Sequence, residues 1–324
     1  MYGLYYKIVS LGYLCEVIDY RCPAIEQRER LDAVRFSLKP KELFINKFVR
    51  PKQRQKVKKL NEFVNDHVCL STPYSPETIN EAKDRYDKII CGSDIIWGRD
   101  ITKDDYNYFL EFAGTRTKRF AFASSVGDCK IRPDEKRLKN NLMNFTRIAV
   151  RELDAVDWVK KVSGIKADWV CDPTMLLTTQ EWNSIITPSA IQGDYVLIYF
   201  DDDKHKCSKD AQKYAQKYGL KVKRINYGFP KKGVSNVRPT TLEEFLGLIK
   251  CAKAVFTSSY HGLLFSIYYH REVMFYSRAH SSRVISLGQR LNIMSHCGDS
   301  IDPLKVKPMN FVCIDDKVKE FRDQ

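Results

Sequence analysis

Short apolar runs alternate with amphipathic segments along this chain, and each run ends in one or a few small polar residues. This alternation limits the fold more than any other feature. Strand-length runs separated by helix-length amphipathic segments predict βαβ units with parallel sheets. Strands are expected over 15–20, 87–91, 119–124, 147–150, 168–171, 194–200, 221–226 and 254–258. Helices are expected near 134–145, 153–164, 208–218, 241–252 and 262–270, and residues 24–66 read as mostly helical, interrupted by Pro40 and Pro51. Gly164 and Gly219 stand where helices should stop. Thr241 and Glu244 form a capping box ahead of the apolar face made by Leu242, Phe245, Leu246 and Ile249.

The polar motifs that follow the strands are GSDIIW after 87–91, SVG after 119–124, RE after 147–150, DPT after 168–171, DDD after 194–200 and SYHG after 254–258. In a doubly wound sheet the carboxyl ends of the strands share a rim, and ligands bind there. The pattern loosens around Thr178–Asp194, which places a domain boundary: an N-terminal α/β domain over 1–178 with a helical insertion at 24–66, and a C-terminal α/β domain over 179–324 carrying SSYHG. Two such domains are expected to face each other across a cleft.

Composition bears on partners. The formal net charge of +14 implies attraction to anions: phosphorylated metabolites, lipid phosphates or nucleic acid. The densest basic stretch, RPKQRQKVKK at 50–59, has its charges at alternate positions and reads as a solvated helix surface, with a membrane-surface or nucleic-acid patch as the functional alternative. The ten cysteines are scattered singly, which suggests free thiols in a reducing cytoplasm. No apolar run reaches the roughly 20 residues needed to span a bilayer, and MYGLYYKIVSLGYL does not read as a signal peptide.

His261 falls between an apolar strand and the helix after it. The first turn of a helix carries unpaired N–H groups and a partial positive charge, so it is a ready anion site, and Gly262 would let a ligand approach the backbone. A histidine there is placed to bind or protonate a phosphorylated substrate; the alternative is a histidine that only caps the turn. Arg151 follows a buried-looking strand, and its planar fork suits a carboxylate or phosphate; a structural ion pair with Glu152 or Asp172 is the alternative. Ser258, Ser259 and Gly262 could donate to a phosphate, and Arg283 could add a further contact. Asp94, beside Ser93, could orient or deprotonate a hydroxyl, or could cap the helix that follows. Asp172-Pro173 reads as a turn. Trp97 could stack on a sugar. Asp201 and Asp203 form a D-x-D that invites a metal reading, but an exposed acidic turn is preferred, and no metal site is expected. His270, His280 and His296 lack ligand spacing. No P-loop, G-x-G-x-x-G or G-x-S-x-G occurs, which argues against P-loop nucleotidases, standard dinucleotide enzymes and α/β-hydrolases.

Taken in order, YDKIICGSDIIW (86–97), FAFASSVG (120–127), IAVRE (148–152), VCDPTMLL (170–177) with Trp182, TLEEFLGLIKCAKAVFTSSYHGLLFSI (241–267) and SSRVISL (281–287) resemble the polysaccharide pyruvyl transferase family. The resemblance implies two Rossmann-like domains of the GT-B glycosyltransferase architecture. It also implies transfer of a pyruvyl group from phosphoenolpyruvate onto two hydroxyls of a saccharide, as a pyruvate ketal, in exopolysaccharide, capsule or cell-wall polymer biosynthesis. His261 then becomes the general acid and phosphate partner, with no cofactor beyond phosphoenolpyruvate as donor. The acceptor is a saccharide, a lipid-linked one included, and the expected place is the cytoplasm, with the inner face of the membrane open. The family begins with a strand, an N-Y-G loop and a helix; Tyr2–Tyr13 resembles only the latter part of that helix, so the first strand is expected to be missing. Two alternatives stand beside this reading: a GT-B-like glycosyltransferase using a nucleotide sugar, and a noncatalytic basic polyanion-binding protein. Nucleic acid is not expected as a partner of the enzyme.

Overall fold

The computed structural model describes residues 1–29, 47, 49–132, 135–202, 204–227, 233–278 and 282–324. The chain divides into two compact units. Met1–Arg30, Asn65–Leu177 and Glu320–Gln324 form the first, and Leu31–Val64 with Thr178–Lys319 form the second. Twelve α-helices and two wholly parallel sheets are found among the described residues.

The first unit holds β1 (Lys88–Cys91), β2 (Lys118–Ser124), β3 (Arg147–Val150) and β4 (Asp168–Trp169), side by side in that order. Ala121 pairs with Ile148, but Ser124 pairs with Val150, so the register shifts between them. Ala123, with φ +54°, sits in the shifted stretch. The Leu153–Ser163 helix packs Ala155, Trp158 and Val159 into the core and stops at Gly164, whose φ of +80° suits a residue without Cβ. The second unit holds β5 (Tyr195–Tyr199), β6 (Lys221–Ile225), β7 (Ser235–Val237), β8 (Ala254–Thr257) and β9 (Glu272–Phe275), in the spatial order β7-β6-β5-β8-β9. β5 and β8 are interior strands, and their side chains are buried on both faces except for half-buried Tyr199. This is why they read as unbroken apolar runs rather than alternating ones.

Several expectations need correction. Residues 15–20 form no regular strand and make only the isolated bridges Val17–Leu70 and Tyr20–Tyr74. The run expected over 168–171 is a strand for two residues only. The loosened stretch after Thr178 contains a helix, Thr179–Ile185, with a reciprocal capping box between Thr178 and Glu181. Thr241 caps the Leu242–Lys250 helix by accepting from the Glu244 N–H, but the Glu244 carboxylate reaches the Thr240 N–H at 2.6 Å. Pro51 lies in the first turn of the Arg50–His67 helix, where a missing N–H costs nothing; Pro40 lies outside the described residues. All ten cysteines are free thiols, and no helix among the described residues is long and apolar enough to cross a membrane.

Gly247 lets the Leu242–Lys250 helix lie directly on the backbone of Ser189, whose N–H donates to the Glu243 carbonyl at 2.9 Å. A Cβ at 247 would overlap the Ser189 carbonyl oxygen. Gly247→Ala is expected to cost about 1–3 kcal/mol in urea unfolding; an unchanged midpoint would contradict the close approach.

Candidate functional site

Two sets of strand-end residues carry the chemistry, one on each unit. In the first unit, the tips of β1, β2 and β3 are tied together. The Ser124 hydroxyl donates to the carbonyls of Cys91 and Gly92, both at 3.2 Å, and its own carbonyl accepts from the Arg151 N–H at 3.3 Å. Asp94 bridges to Ser124 in the left-handed region at φ +75°, which aspartate tolerates better than most residues. The Asp94 carbonyl accepts from Ile96 and Ser125, while its carboxylate is 68% exposed and 3.6 Å from Arg151 Nη2. It caps no helix, because the next one, Arg99–Thr102, begins after Gly98. Ser93 is half-buried beside it.

The Arg151 side chain is fully buried. Its Nη1 donates to Asp172 Oδ2 at 2.7 Å and its Nε to Glu152 Oε1 at 3.0 Å. Asp172 completes its shell by accepting from the Thr174 N–H and hydroxyl, which also fixes the Asp172-Pro173 turn. The ion pairs weighed against ligand binding are therefore formed with both carboxylates at once. Trp97 is entirely buried: it stacks on Phe109 at 5.2 Å and donates its indole N–H to the Tyr108 carbonyl. It is a core residue, not a sugar platform. A separate apolar cavity of about 290 Å³ lies in this unit, bounded among others by Leu4, Ile90, Phe120, Phe122 and Leu176, and it includes none of these rim residues.

The second set sits where β8 turns into the Tyr260–Tyr268 helix. The Thr257 hydroxyl donates to the Tyr199 carbonyl and accepts from the Ser259 N–H. The Ser258 hydroxyl is directed to the carbonyls of Phe200 and Asp201, at 3.1 and 3.0 Å. The Ser259 hydroxyl caps the helix by accepting from the Gly262 N–H at 3.2 Å. His261 is the second residue of this helix and the one among its nine that is not buried; its ring meets Tyr260 edge-on at 5.6 Å. A Cβ at Gly262 would come within 2.5 Å of Thr257 Oγ1 and 2.9 Å of the Tyr199 ring. The glycine is thus needed for tight packing on its own neighbours, and its N–H serves the cap. Arg283 opens the Arg283–Arg290 helix and is half-buried.

Sequence reasoning missed the β5 side of this junction. Phe200 holds φ +54° at the tip of β5, is 51% exposed, and has the Arg278 guanidinium 5.8 Å from its ring centre. Burial pushes the Tyr199 hydroxyl up to about 12, which keeps it protonated next to Ser259. Nothing in the local sequence marks either residue; only the pairing of β5 with β8 brings them beside the motif.

The DDD segment also differs from the exposed turn expected. The Asp201 and Asp202 side chains are largely buried and organise the start of the Lys206–Tyr218 helix: Asp202 accepts from the N–H groups of Lys204 and Cys207, and Asp201 from the N–H and hydroxyl of Ser208 and from His205. Asp203 lies outside the described residues, as does His280. No group of three metal-ligating side chains is found among the described residues.

Two tests follow from this geometry. Arg151→Met leaves Glu152 and Asp172 buried without their cation and is expected to cost about 3–5 kcal/mol, read by urea unfolding; an unchanged midpoint would dissolve the network described. At Asp201, burial works against ionisation, but the hydrogen bonds from Ser208 and His205, with the charge of Arg224, outweigh it and hold the carboxyl below its ordinary 3.8. A depressed carboxyl stabilises the fold above that value, and the contribution is lost as pH falls through the folded one. Asp201→Asn should therefore destabilise at neutral pH and flatten the loss of stability on acidification below about pH 4; parallel wild-type and variant curves would contradict this.

A family model described as polysaccharide pyruvyl transferase matches residues 1–280. No curated protein matches the chain. Among solved structures, the crystal structure of a functionally uncharacterized protein from Klebsiella pneumoniae subsp. pneumoniae NTUH-K2044 is similar at 12% identity and a TM-score of 0.41, over 93% of this chain and 96% of that one.

Proposed function

The chain belongs to the polysaccharide pyruvyl transferase family, and on that premise we propose that it transfers the pyruvyl unit of phosphoenolpyruvate onto two hydroxyls of a saccharide, in the making of an exopolysaccharide, capsule or cell-wall polymer. The observation that carries the proposal is His261, the single residue of the Tyr260–Tyr268 helix that is not buried, in that helix's first turn. A helix mouth favours a phosphate through its N–H groups and its dipole, and an imidazole beside a bound dianion is held in its protonated form. The Ser259 hydroxyl can donate outward while its oxygen accepts from Gly262. Ser258 has its proton turned to two carbonyls and supports the turn, and Arg283 is assigned a secondary phosphate contact.

In this scheme His261 gives a proton to the methylene carbon of phosphoenolpyruvate. The adjacent carbon becomes oxocarbenium-like, one sugar hydroxyl adds to it, its bond to the phosphate oxygen breaks, and the second hydroxyl closes the ketal. Two hydroxyl protons are released; one restores the imidazolium and the other leaves with phosphate. No oxidant or cofactor enters, because the donor carries its own leaving group. For an acceptor hydroxyl we assign Asp94, whose exposed carboxylate can orient it or take its proton. Arg151 is assigned to holding that rim in place through Asp172 and Glu152, and a direct ligand contact is not needed for this role.

The test is mass spectrometry of candidate saccharides incubated with the protein and phosphoenolpyruvate. Wild type is expected to add a pyruvate ketal. His261→Ala is expected to lose about 10²–10⁴-fold in rate with its circular dichroism unchanged. Full turnover by that variant would refute the acid role. Thermal stabilisation by a nucleotide sugar but not by phosphoenolpyruvate would replace the reaction with glycosyl transfer.

A further inference from the structure

The Arg50–His67 helix runs for 18 residues without one that is buried. Arg50, Lys52, Arg54, Lys56, Lys58 and Lys59 all fall in its first ten residues, and the first acidic side chain is Glu62. At helical spacing, Arg50, Arg54 and Lys58 share one row, and Lys52, Lys56 and Lys59 share another. Like charges four apart weaken a helix, so both rows act against the element that carries them. Of the acidic residues that follow, Glu62 lies 2.8 Å from Lys59 and 3.9 Å from Lys58. The Lys56 ammonium rests 5.3 Å from the centre of the Tyr227 ring, and Leu60, Phe63 and Val64 are half-buried, which marks the side turned to the protein. Arg54, Gln55, Lys58, Asn61 and Asn65 are exposed.

We propose that this helix is a docking rail for an anionic polysaccharide. The proposal rests on the pyruvyl-transfer reading, since each ketal formed leaves a carboxylate on its sugar and makes the product a polyanion. Rows of cations one helical turn apart meet carboxylates repeated along a chain, and the interleaved amides of Gln55, Asn61 and Asn65 match sugar hydroxyls as donors and acceptors. A bilayer fits less well, because surface-bound helices need a free apolar face and here Leu60, Phe63 and Val64 are half-buried. Single-stranded nucleic acid fits less well, because its binders stack bases on exposed aromatics and Phe63, the helix's one aromatic besides His67, is half-buried. The rail holds a modified polymer near the enzyme between turnovers.

The experiment measures binding of the full chain to polygalacturonate, neutral dextran, phosphatidylserine vesicles and single-stranded DNA across a salt series. Polygalacturonate is expected to bind, with affinity falling as salt rises, and dextran is expected not to. Combining Lys52→Gln, Arg54→Gln and Lys58→Gln should weaken that binding by about tenfold or more, while phosphoenolpyruvate turnover on a short saccharide stays at the wild-type level. His261→Ala should bind the polymer as wild type does. No binding to polygalacturonate at low salt, binding unmoved by the triple substitution, or tighter binding to vesicles or DNA would each overturn the rail. Polymer binding that follows the triple substitution in a protein without any phosphoenolpyruvate turnover would keep the rail and reject the reaction.

Discussion

A parallel strand can rejoin its neighbour only by crossing back over the sheet, so all the strand tips of such a sheet lie on one edge. Every ladder among the described residues is parallel. The rest of the structure depends on this constraint. It brings Asp94, Ser124, Arg151 and Asp172 together from four separate strand ends, and it sets Phe200 and Asp201 against Ser258, more than fifty residues away in the chain.

The two rims solve their local electrostatics differently. The first is ionic. A buried guanidinium is tolerable only when charged partners meet it at hydrogen-bond distance, and Glu152 and Asp172 do so while Asp94 stays in solvent. At the second rim the turn after β8 is built from neutral hydroxyls, while the Asp201 and Asp202 carboxylates at the tip of β5 serve the start of the next helix. Thr257, Ser258 and Ser259 each satisfy a backbone group of the junction, and at the helix end His261 and the capping Ser259 are polar side chains that are not buried.

The order of strands and helices was legible because burial on both faces writes itself into β5 and β8 as unbroken apolar runs. The Thr179–Ile185 helix is marked in the sequence by its Thr178–Glu181 capping box alone, because its apolar period is short. Roles were harder. Trp97 and a sugar-stacking tryptophan have the same sequence signature; what separates them is Phe109, twelve residues on, closing over the ring. Gly262 looked like an opening for a ligand, but the space is filled by Thr257 and Tyr199. The aspartates at 201 and 202 looked like a solvent turn until the helix start they hold was placed on top of them.

Sequence alone determined the fold class, the family and the place of His261, because each depends on short-range pattern: apolar period, a small polar motif at a strand end, and a helix starting just after it. Tertiary structure alone decided which polar groups were already spent. Whether Arg151 meets a ligand or its own carboxylates, and whether a serine faces outward or serves a carbonyl, depends on partners supplied by other strands. Those partners are fixed by the order of strands in the sheet, and that order is not written in any local stretch of the chain.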